Sequence, residues 1–523
     1  MATYQYSMLT ISSFFIYLSA RVGIWIDLLL RIYLAERNQS ENSRRLTIEP
    51  TTGSIDAKVP STIACLVGYR EDEKLFEEAL RSYNEAKTKY LVVGIDDDSA
   101  EDEQMVKIFQ KAMNPTQKNV VLRLSVCVGQ VFMEQRKEVA KQDFDSKPQR
   151  QSMPEHEKQF EKAYRYIQNE LQNSGFLDVI KDTTEDFAIC FTQPHRDLKE
   201  VRLAAWILSI VLADLKDIDY LWSSDSDTII LPDTISSLSK IVAAESAAAG
   251  ASALVQLNTS HLSFIGQMAQ TAYNCDAFLN RSALGAIGAS ECLNGPGSLF
   301  RIAALRTVAA SWYHCQYPAS QYRTVLNEDI QVTMLLGKEG WHRRYSAESI
   351  IRTAGPITLK GWVGQRIRWS RGIHLHRVHD YRYILSQGYL YTAYMIRSGL
   401  YDPLLFIWIT YFAITGRHLI KISLLDLICL EVIPLCYNYF RSTKPRAGFS
   451  RTVPHYLSYR AISPAYRMYT FLTPRKDSWA LPPTQTAKTV SKFFPWEAEM
   501  SFLYLWFLIM TFAGGRLAIT ILF

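Results

Sequence analysis

Apolar residues concentrate at the two ends of the chain, whereas the middle alternates short apolar runs with polar, helix-like segments. Residues 8–34 are mostly apolar and longer than the about 20 residues that a membrane-spanning helix needs, although three charged residues interrupt them. Further spanning candidates are 398–416, 422–440 and 501–523. Residues 455–473 mix Tyr and Arg with apolar positions, which is typical of a helix lying at the membrane surface.

This layout predicts four regions. They are an N-terminal membrane anchor at 1–34, a polar linker at 35–59, a cytosolic domain at 60–390, and membrane and interface helices at 391–523. A surface-lying amphipathic helix is the alternative for the first region. Positive residues cluster after 422–440, and the positive-inside rule places that loop, and by count the central domain, in the cytosol.

The central domain is predicted to be an α/β structure. Apolar runs of strand length begin at Thr62, Tyr90, Asp219 and Ser252, and helix-like segments lie between them. Such alternation favours a mostly parallel sheet covered by helices. Residues 130–186 carry both signs of charge and few strand signals, so we expect a helical or partly mobile insertion there rather than a second catalytic domain.

Composition excludes several classes of protein. Lys and Arg number 57 against 51 Asp and Glu, and a net charge of +6 is too small and dispersed for a nucleic-acid-binding protein. The eight cysteines form no CxxC pair, which argues against a zinc site or a disulfide scaffold. Aromatic residues reach 12%, a value that suits a membrane interface or a carbohydrate site.

Two predicted strands end in carboxylates, at Asp96-Asp97 and at Asp225-Ser226-Asp227. Ligands of open α/β sheets bind at the carboxyl ends of the strands. Asp96 and Asp97 could accept hydrogen bonds from a base or ribose, or they could cap the following helix. Asp225 and Asp227 could hold a hard divalent cation together with a diphosphate.

Three later segments also carry candidate chemistry. Gly295, Pro296 and Gly297 could let backbone approach a ligand, or form an ordinary turn. The pair Glu328-Asp329 could supply a general base, or be an acidic helix start that the helix dipole favours. Residues 365–369 combine arginines that match phosphate oxygens with a Trp on which a sugar could stack, or form a basic face beside a membrane.

The order of these motifs resembles the processive family-2 glycosyltransferases, most closely the hyaluronan synthase and chitin synthase branch, with cellulose synthase more distant. The likeness spans roughly residues 60–380. It implies a GT-A type α/β domain with a mixed, mostly parallel sheet. Gln365, Arg368 and Trp369 fill the QxxRW motif, which marks the processive members.

The resemblance also implies roles for the remaining candidates. It assigns the nucleotide-sugar site to Tyr69, Arg70, Glu71, Asp96, Asp97, Asp225, Gln365, Arg366 and Arg368. It assigns the metal to Asp225 and Asp227, and the acceptor to Gly295, Pro296, Gly297 and Trp369. In the catalytic pair Glu328 and Asp329, the second member corresponds to the general base.

Some positions depart from the family pattern. Asp98 stands where many relatives have Gly, and Asn327-Glu328-Asp329 is closer to chitin and cellulose synthases than to hyaluronan synthases. Residues 473–479 match only loosely a segment that closes over the nucleotide. These departures leave the identity of the product open.

The implied activity is transfer of a sugar from a UDP-sugar donor to a growing β-linked polysaccharide, with Mg²⁺ or Mn²⁺ as cofactor. The implied location is the lipid bilayer of the plasma membrane or the secretory pathway, with possible homo-oligomers because the spans are few. Two alternatives stay open: a single-addition transferase with a lipid acceptor, and a non-catalytic membrane scaffold.

Overall fold

The structure is a computed structural model of the 523-residue chain. It describes residues 2–47, 60–97, 100–113, 117–132, 153–182, 186–258, 263–315, 327–418, 424–442, 448–473 and 498–522.

A nine-stranded sheet forms the centre of the described part of the chain, with the strand order β3-β4-β2-β1-β5-β8-β7-β9-β6. The strands are β1 Thr62–Gly68, β2 Tyr90–Asp97, β3 Lys118–Arg123, β4 Phe187–Pro194, β5 Tyr220–Asp225, β6 Ile229–Ile230, β7 Ala248–Leu257, β8 Ser298–Arg301 and β9 His342–Thr353. Strands β3, β4, β2, β1 and β5 run parallel to one another, and β8 is antiparallel to both of its neighbours. The predicted mixed, mostly parallel sheet is confirmed.

Helices cover both faces of this sheet. In the central region they are α2 Glu73–Glu85, α3 Ala100–Ala112, α4 Met153–Asn173, α5 Phe176–Asp182, α6 Leu198–Lys216, α7 Thr234–Ala243, α8 Phe264–Asp276, α9 Ser282–Ala286, α10 Ile302–His314, α11 Glu328–Lys338, α12 Leu359–His379 and α13 Tyr381–Ser386. Several begin at residues that cap helices well; Asp197, for example, accepts a hydrogen bond from the Glu200 amide.

The core lies in two layers, one on each face of the sheet. One layer packs α6, α10 and α11 against the sheet and contains the buried indoles of Trp206 and Trp312. The other packs α2, α3 and α7 against the opposite face. Because both faces of the sheet are packed, the strand ends are held in fixed positions.

The described part of the predicted insertion is mostly helical. Helix α4 buries Ala163, Ile167 and Leu171 in the same core layer as α6. Residues 133–152 of the insertion lie outside the described residues.

The N-terminal helix differs from the predicted boundary between anchor and linker. Helix α1 runs unbroken from Ala2 to Thr47, so residues 35–47 of the expected linker are helical. Both Asn38 and Asn42 are buried, and each donates a hydrogen bond from its side-chain amide to the Tyr345 carbonyl over 3.0 Å. The helix continues because its polar residues bind β9.

The C-terminal region is helical throughout its described residues. It comprises α14 Tyr389–Thr415, α15 Leu424–Leu427 with a π-turn at Ile428–Val432, α16 Ile433–Arg441, α17 Phe449–Leu472 and α18 Ala498–Leu522. Among the described helices one, at Ala498–Ile519, has the length and apolar composition to cross a membrane, with a mean hydropathy of 1.7. The segments 8–34 and 398–415 and the described residues 424–440 are helical, and the spanning character of the three predicted segments stays a prediction.

Candidate active site

The acidic strand ends lie at one edge of the sheet. Strand β1 pairs with β2 on one side and with β5 on the other, all in parallel. Their carboxyl ends therefore point the same way and bring Asp96 and Asp225 to the same edge. The same edge holds Tyr69, Arg70 and Glu71, which directly follow β1.

Arg202 of α6 connects the Asp225-Ser226-Asp227 motif with the acidic pair Glu328-Asp329. Its Nη2 atom donates to Oδ1 of Asp225, and its Nη1 atom donates to Oε1 of Glu328 over 3.2 Å. The Arg202 side chain is only 3% exposed. Residues separated by about a hundred positions in sequence are thus held by one buried guanidinium.

Asp227 lies in a second cluster of carboxylates. Its Oδ2 atom accepts a hydrogen bond from the Thr353 hydroxyl over 2.9 Å. The hydroxyl of Ser226 donates to Glu71 over 3.1 Å, so Glu71 lies beside the same motif. Burial, with repulsion from Glu71 and Asp225, raises the pKa of Asp227 to about 7.

The acidic pair begins α11, as predicted. Asp329 accepts hydrogen bonds at Oδ2 from the Gly295 amide and from the Cys292 thiol, both over 3.3 Å. Burial raises the pKa of Glu328 to about 7, although the attraction of Arg202 opposes this shift. The pair therefore lies against the Gly295 loop.

That loop is held rigidly. The Ser224 hydroxyl donates to the Pro296 carbonyl over 2.8 Å. A methyl group at Gly297 would lie 2.7 Å from Ile351 and Trp222, so glycine is required by the close approach of the neighbouring strands.

A cavity of about 10 Å³ between this loop and α11 has room for about one water. It is lined in part by Arg202, Gly295, Glu328 and Asp329.

The QxxRW segment lies within α12. The guanidinium carbon of Arg366 is 4.9 Å from the ring centroid of Tyr273 and 4.8 Å from that of Trp369. The Nε and Nη2 atoms of Arg366 are buried without a hydrogen-bond partner among the described residues, as is Oε1 of Gln365. The side-chain amide of Asn327 donates to the Trp369 carbonyl over 2.8 Å, which connects α12 to the start of α11.

Arg368 lies on the same helix, and its charge acts on the buried Tyr273 hydroxyl, as the charges of Arg366 and Asp227 do. Tyr273 therefore contacts the QxxRW segment and lies within range of the Asp227 charge.

A third group surrounds Asp96, whose side chain is 1% exposed. It accepts hydrogen bonds from Nδ1 of His195 over 2.8 Å and from the Arg196 amide over 3.2 Å. The His195 ring stacks on Tyr69, with 4.4 Å between the ring centroids and 16° between the planes. The guanidinium of Arg70 lies 4.9 Å from the Tyr69 ring centroid.

Burial raises the pKa of Asp96 to about 7, and the nearby His195 opposes this shift. The strand β2 includes Asp97, but its side chain lies outside the described residues, as do Asp98 and residues 474–479.

Sequence reasoning missed several residues of this site, among them Arg202, His195, Tyr273 and Thr353. Arg202 carries a signal in retrospect, because it is a charged residue within the apolar run of α6. A charge on a buried helix face needs a partner. The other three have no such pattern, since only the fold brings them to the strand ends.

The comparisons with known proteins agree with these observations. The sequence pattern of the family described as Glycosyl transferase family group 2 matches residues 224–441. The matched segment begins one residue before Asp225 and includes Glu328, Asp329 and the QxxRW motif. Over this segment the chain resembles the family-2 glycosyltransferases.

Curated proteins that resemble this chain include hyaluronan synthases. Hyaluronan synthase 2 of Homo sapiens is 22% identical over 388 residues, which make up 74% of this chain and 63% of that protein. Hyaluronan synthase 2 of Bos taurus is 23% identical over 255 residues, or 49% of this chain and 45% of that protein. The chain therefore spans less than two thirds of the length of these relatives.

Among solved structures, the mannosyltransferase PcManGT from Pyrobaculum calidifontis, in complex with GDP-Man and Mn²⁺, aligns with a TM-score of 0.37 and 10% identity. That alignment covers 95% of this chain and 98% of the other.

Proposed function

We propose that this glycosyltransferase transfers a sugar from a UDP-sugar to the end of a growing β-linked polysaccharide, processively and with inversion. The observation that carries the proposal is the bridge formed by Arg202 between Asp225 and Glu328. It holds the motif proposed for the donor diphosphate against the acidic pair proposed for the acceptor. A nucleotide-sugar and an acceptor hydroxyl could thus meet at one place.

Asp329 is the proposed general base. Its Oδ2 atom is oriented by the Gly295 amide and the Cys292 thiol, so the carboxylate is fixed beside the acceptor loop. In this position it would take the proton of the acceptor hydroxyl as the oxygen attacks the anomeric carbon and UDP leaves. Glu328 would stay bound to Arg202 and hold the start of α11 in place.

Asp225 and Asp227 are the proposed ligands of Mg²⁺ or Mn²⁺. Among the described residues no group of three or more His, Cys, Asp or Glu side chains is arranged to hold a metal. Two carboxylates still fit a cation that also takes ligands from the substrate diphosphate and from water. The bound cation would neutralise charge on the leaving diphosphate. The mutual repulsion of Asp227, Glu71 and Asp225 supports this assignment, because added positive charge would relieve it.

The arginines of α12 are proposed to bind the diphosphate. The buried nitrogens of Arg366 that lack partners among the described residues are donors that a phosphate would satisfy. Arg368 would add charge, Gln365 would hydrogen-bond the nucleotide-sugar, and Trp369 would offer a ring face to the acceptor sugar. The hydrogen bond from Asn327 to the Trp369 carbonyl would hold these residues of α12 at a fixed distance from Asp329.

We also propose that the C-terminal helices lie in a bilayer and export the product. Large apolar side chains are exposed on α14 and α18, among them Leu404, Ile407, Leu508 and Phe512. Exposed apolar surface of this extent marks a membrane or protein interface. The catalytic domain would face the cytosol, and a homo-oligomer could enlarge the channel.

The test is an assay of UDP release by the purified full chain in nanodiscs, with Mg²⁺ or Mn²⁺ and a panel of UDP-sugars, followed by sizing of the product. We expect release with a particular donor and a long, glycosidase-sensitive polymer. Only short or lipid-linked products would favour a single-addition enzyme. No release together with no UDP binding would favour a scaffold.

Two variants make this assay specific. Asp329→Asn should lower the rate by at least about 100-fold with UDP binding intact, because the base is lost. Asp233→Asn is the matched control, since Asp233 is exposed and its side chain makes no capping hydrogen bond. Transfer by Asp329→Asn at the control's rate would refute the base assignment.

A further inference from the structure

The end of β4 brings a second polar side chain to Asp96. Gln193 on β4 is aligned with Asp96 on β2 in the parallel register, so the two side chains lie on the same face of the sheet. Gln193 is 1% exposed. Its amide lies beside the Asp96 carboxyl and favours the ionised form of that group.

Gln193 is left without good hydrogen bonds in its buried position. Neither Oε1 nor Nε2 has a partner of good geometry among the described residues. A buried amide loses its hydrogen bonds to water, so a native protein retains such a group at a cost unless something else binds it. The strand end where it lies is an edge at which α/β sheets bind ligands.

The groups around Gln193 have the chemistry of a base pocket. Tyr69 presents an aromatic ring, and the stacked imidazole of His195 shows that a flat ring fits against it. Asp96 is an acceptor whose orientation is set by His195 and the Arg196 amide. Gln193 adds a donor beside that acceptor.

We propose that Gln193 is a base-specificity residue, which donates to a carbonyl oxygen of the donor's base while Asp96 accepts the adjacent ring N–H. Uracil presents this edge, with N3–H between two carbonyl oxygens, whereas cytosine presents an unprotonated ring nitrogen beside an amino group. The pair would therefore favour uracil over cytosine. The inference rests on the proposed function, since it concerns the nucleotide of the same donor.

The test measures Kd values of the full chain in detergent for UDP and CDP by calorimetry with Mg²⁺ present. Wild-type protein should bind UDP at least about tenfold more tightly than CDP, and Gln193→Leu should remove most of this preference. Gln159→Leu is the matched control, because Gln159 is 0% exposed, has an unpartnered Nε2 among the described residues and lies on α4 away from the strand ends.

Each outcome decides the inference. A UDP-to-CDP ratio that Gln193→Leu leaves unchanged would overturn it, and so would equal losses in both Leu variants. If Gln193→Leu fails to fold, Gln193→Glu tests the same point: replacing the donor by an acceptor should shift the ratio toward CDP, and an unchanged ratio would refute the inference. UDP binding with an unchanged ratio refutes this inference alone, whereas no nucleotide binding by the wild type refutes the proposed function as well.

Discussion

The Nη1 atom of Arg202 donates a hydrogen bond to Oε1 of Glu328 over 3.2 Å, within the interior of the domain. The same guanidinium binds Asp225, so the end of β5 and the start of α11 share one buried cation. Removing that cation would leave two carboxylates close together with no charge to compensate them. The bridge is therefore a structural and a functional requirement of the proposed site.

Arg202→Met should destabilise the protein and abolish transfer. Breaking a buried ion pair by removing one partner costs about 3–5 kcal/mol. Thermal unfolding in detergent and UDP release would measure the two effects. Arg165→Met is the matched control: its pair with Glu161 is 2.7 Å long with side chains 72% and 54% exposed, so little change in stability is expected. Equal stability of the two variants would contradict the role of the bridge.

UDP affinity should rise with pH through about 7 because of Asp96. Burial raises its pKa to about 7, and only the ionised carboxylate accepts the ring N–H. The ionised fraction rises roughly tenfold from pH 6 to pH 8, so Kd should fall by about the same factor. The groups that face this carboxyl are His195, the Arg196 amide and Gln193, and the Cys127 thiol senses its charge.

The control for this pH dependence is Asp96→Asn, in which the titrating group is absent. The phosphates of UDP titrate equally with both proteins, so the ratio of the two Kd values isolates Asp96. A ratio independent of pH would contradict the prediction. In the unliganded protein, pH has the opposite effect on folding stability. Between about pH 4 and pH 7 the folded state keeps a proton on Asp96 that the unfolded state has lost, so the contribution of Asp96 to stability falls as pH rises through this range.

Two glycine substitutions should have opposite effects on stability. Gly297→Ala places a methyl group 2.7 Å from Ile351 and Trp222, and overpacking of this kind costs about 1–3 kcal/mol. Gly364→Ala lies within α12 with no heavy atom within 4 Å of the new Cβ, and it should stabilise by about 0.5–1 kcal/mol. Unfolding midpoints would separate the two, and the reverse order would show that the loop can move away from β5.

The C-terminal helices should depend on Asp402. Its side chain is 5% exposed and lies 3.1 Å from Arg460 and 3.0 Å from Arg467 of α17. Asp402→Asn leaves both arginines without this charge, and we expect a loss of about 3 kcal/mol. Glu41→Gln is the control, because the Arg37–Glu41 pair within α1 has side chains 52% and 29% exposed. Equal midpoints of the two variants in a detergent unfolding assay would contradict the prediction.

The sequence by itself determined the local features of this protein. The strands that end at Asp96 and Asp225 follow from short apolar runs bounded by polar residues, and the helix that begins at Glu328 follows from an acidic start before an apolar run. These features depend on neighbours in the chain, which a pattern records. The apolar C-terminal segment from 501 was recognisable for the same reason.

Only the tertiary structure decided which distant groups meet. The hydrogen bonds between Arg202 and Glu328 and between His195 and Asp96 depend on strand order and helix packing, which local patterns do not encode. The raised pKa values of Asp96, Asp227 and Glu328 arise from burial, which exists only after the chain has folded. The polar segment 35–47 has the composition of a linker because its partners, such as Tyr345 for Asn38 and Tyr437 for Glu36, are far away in sequence.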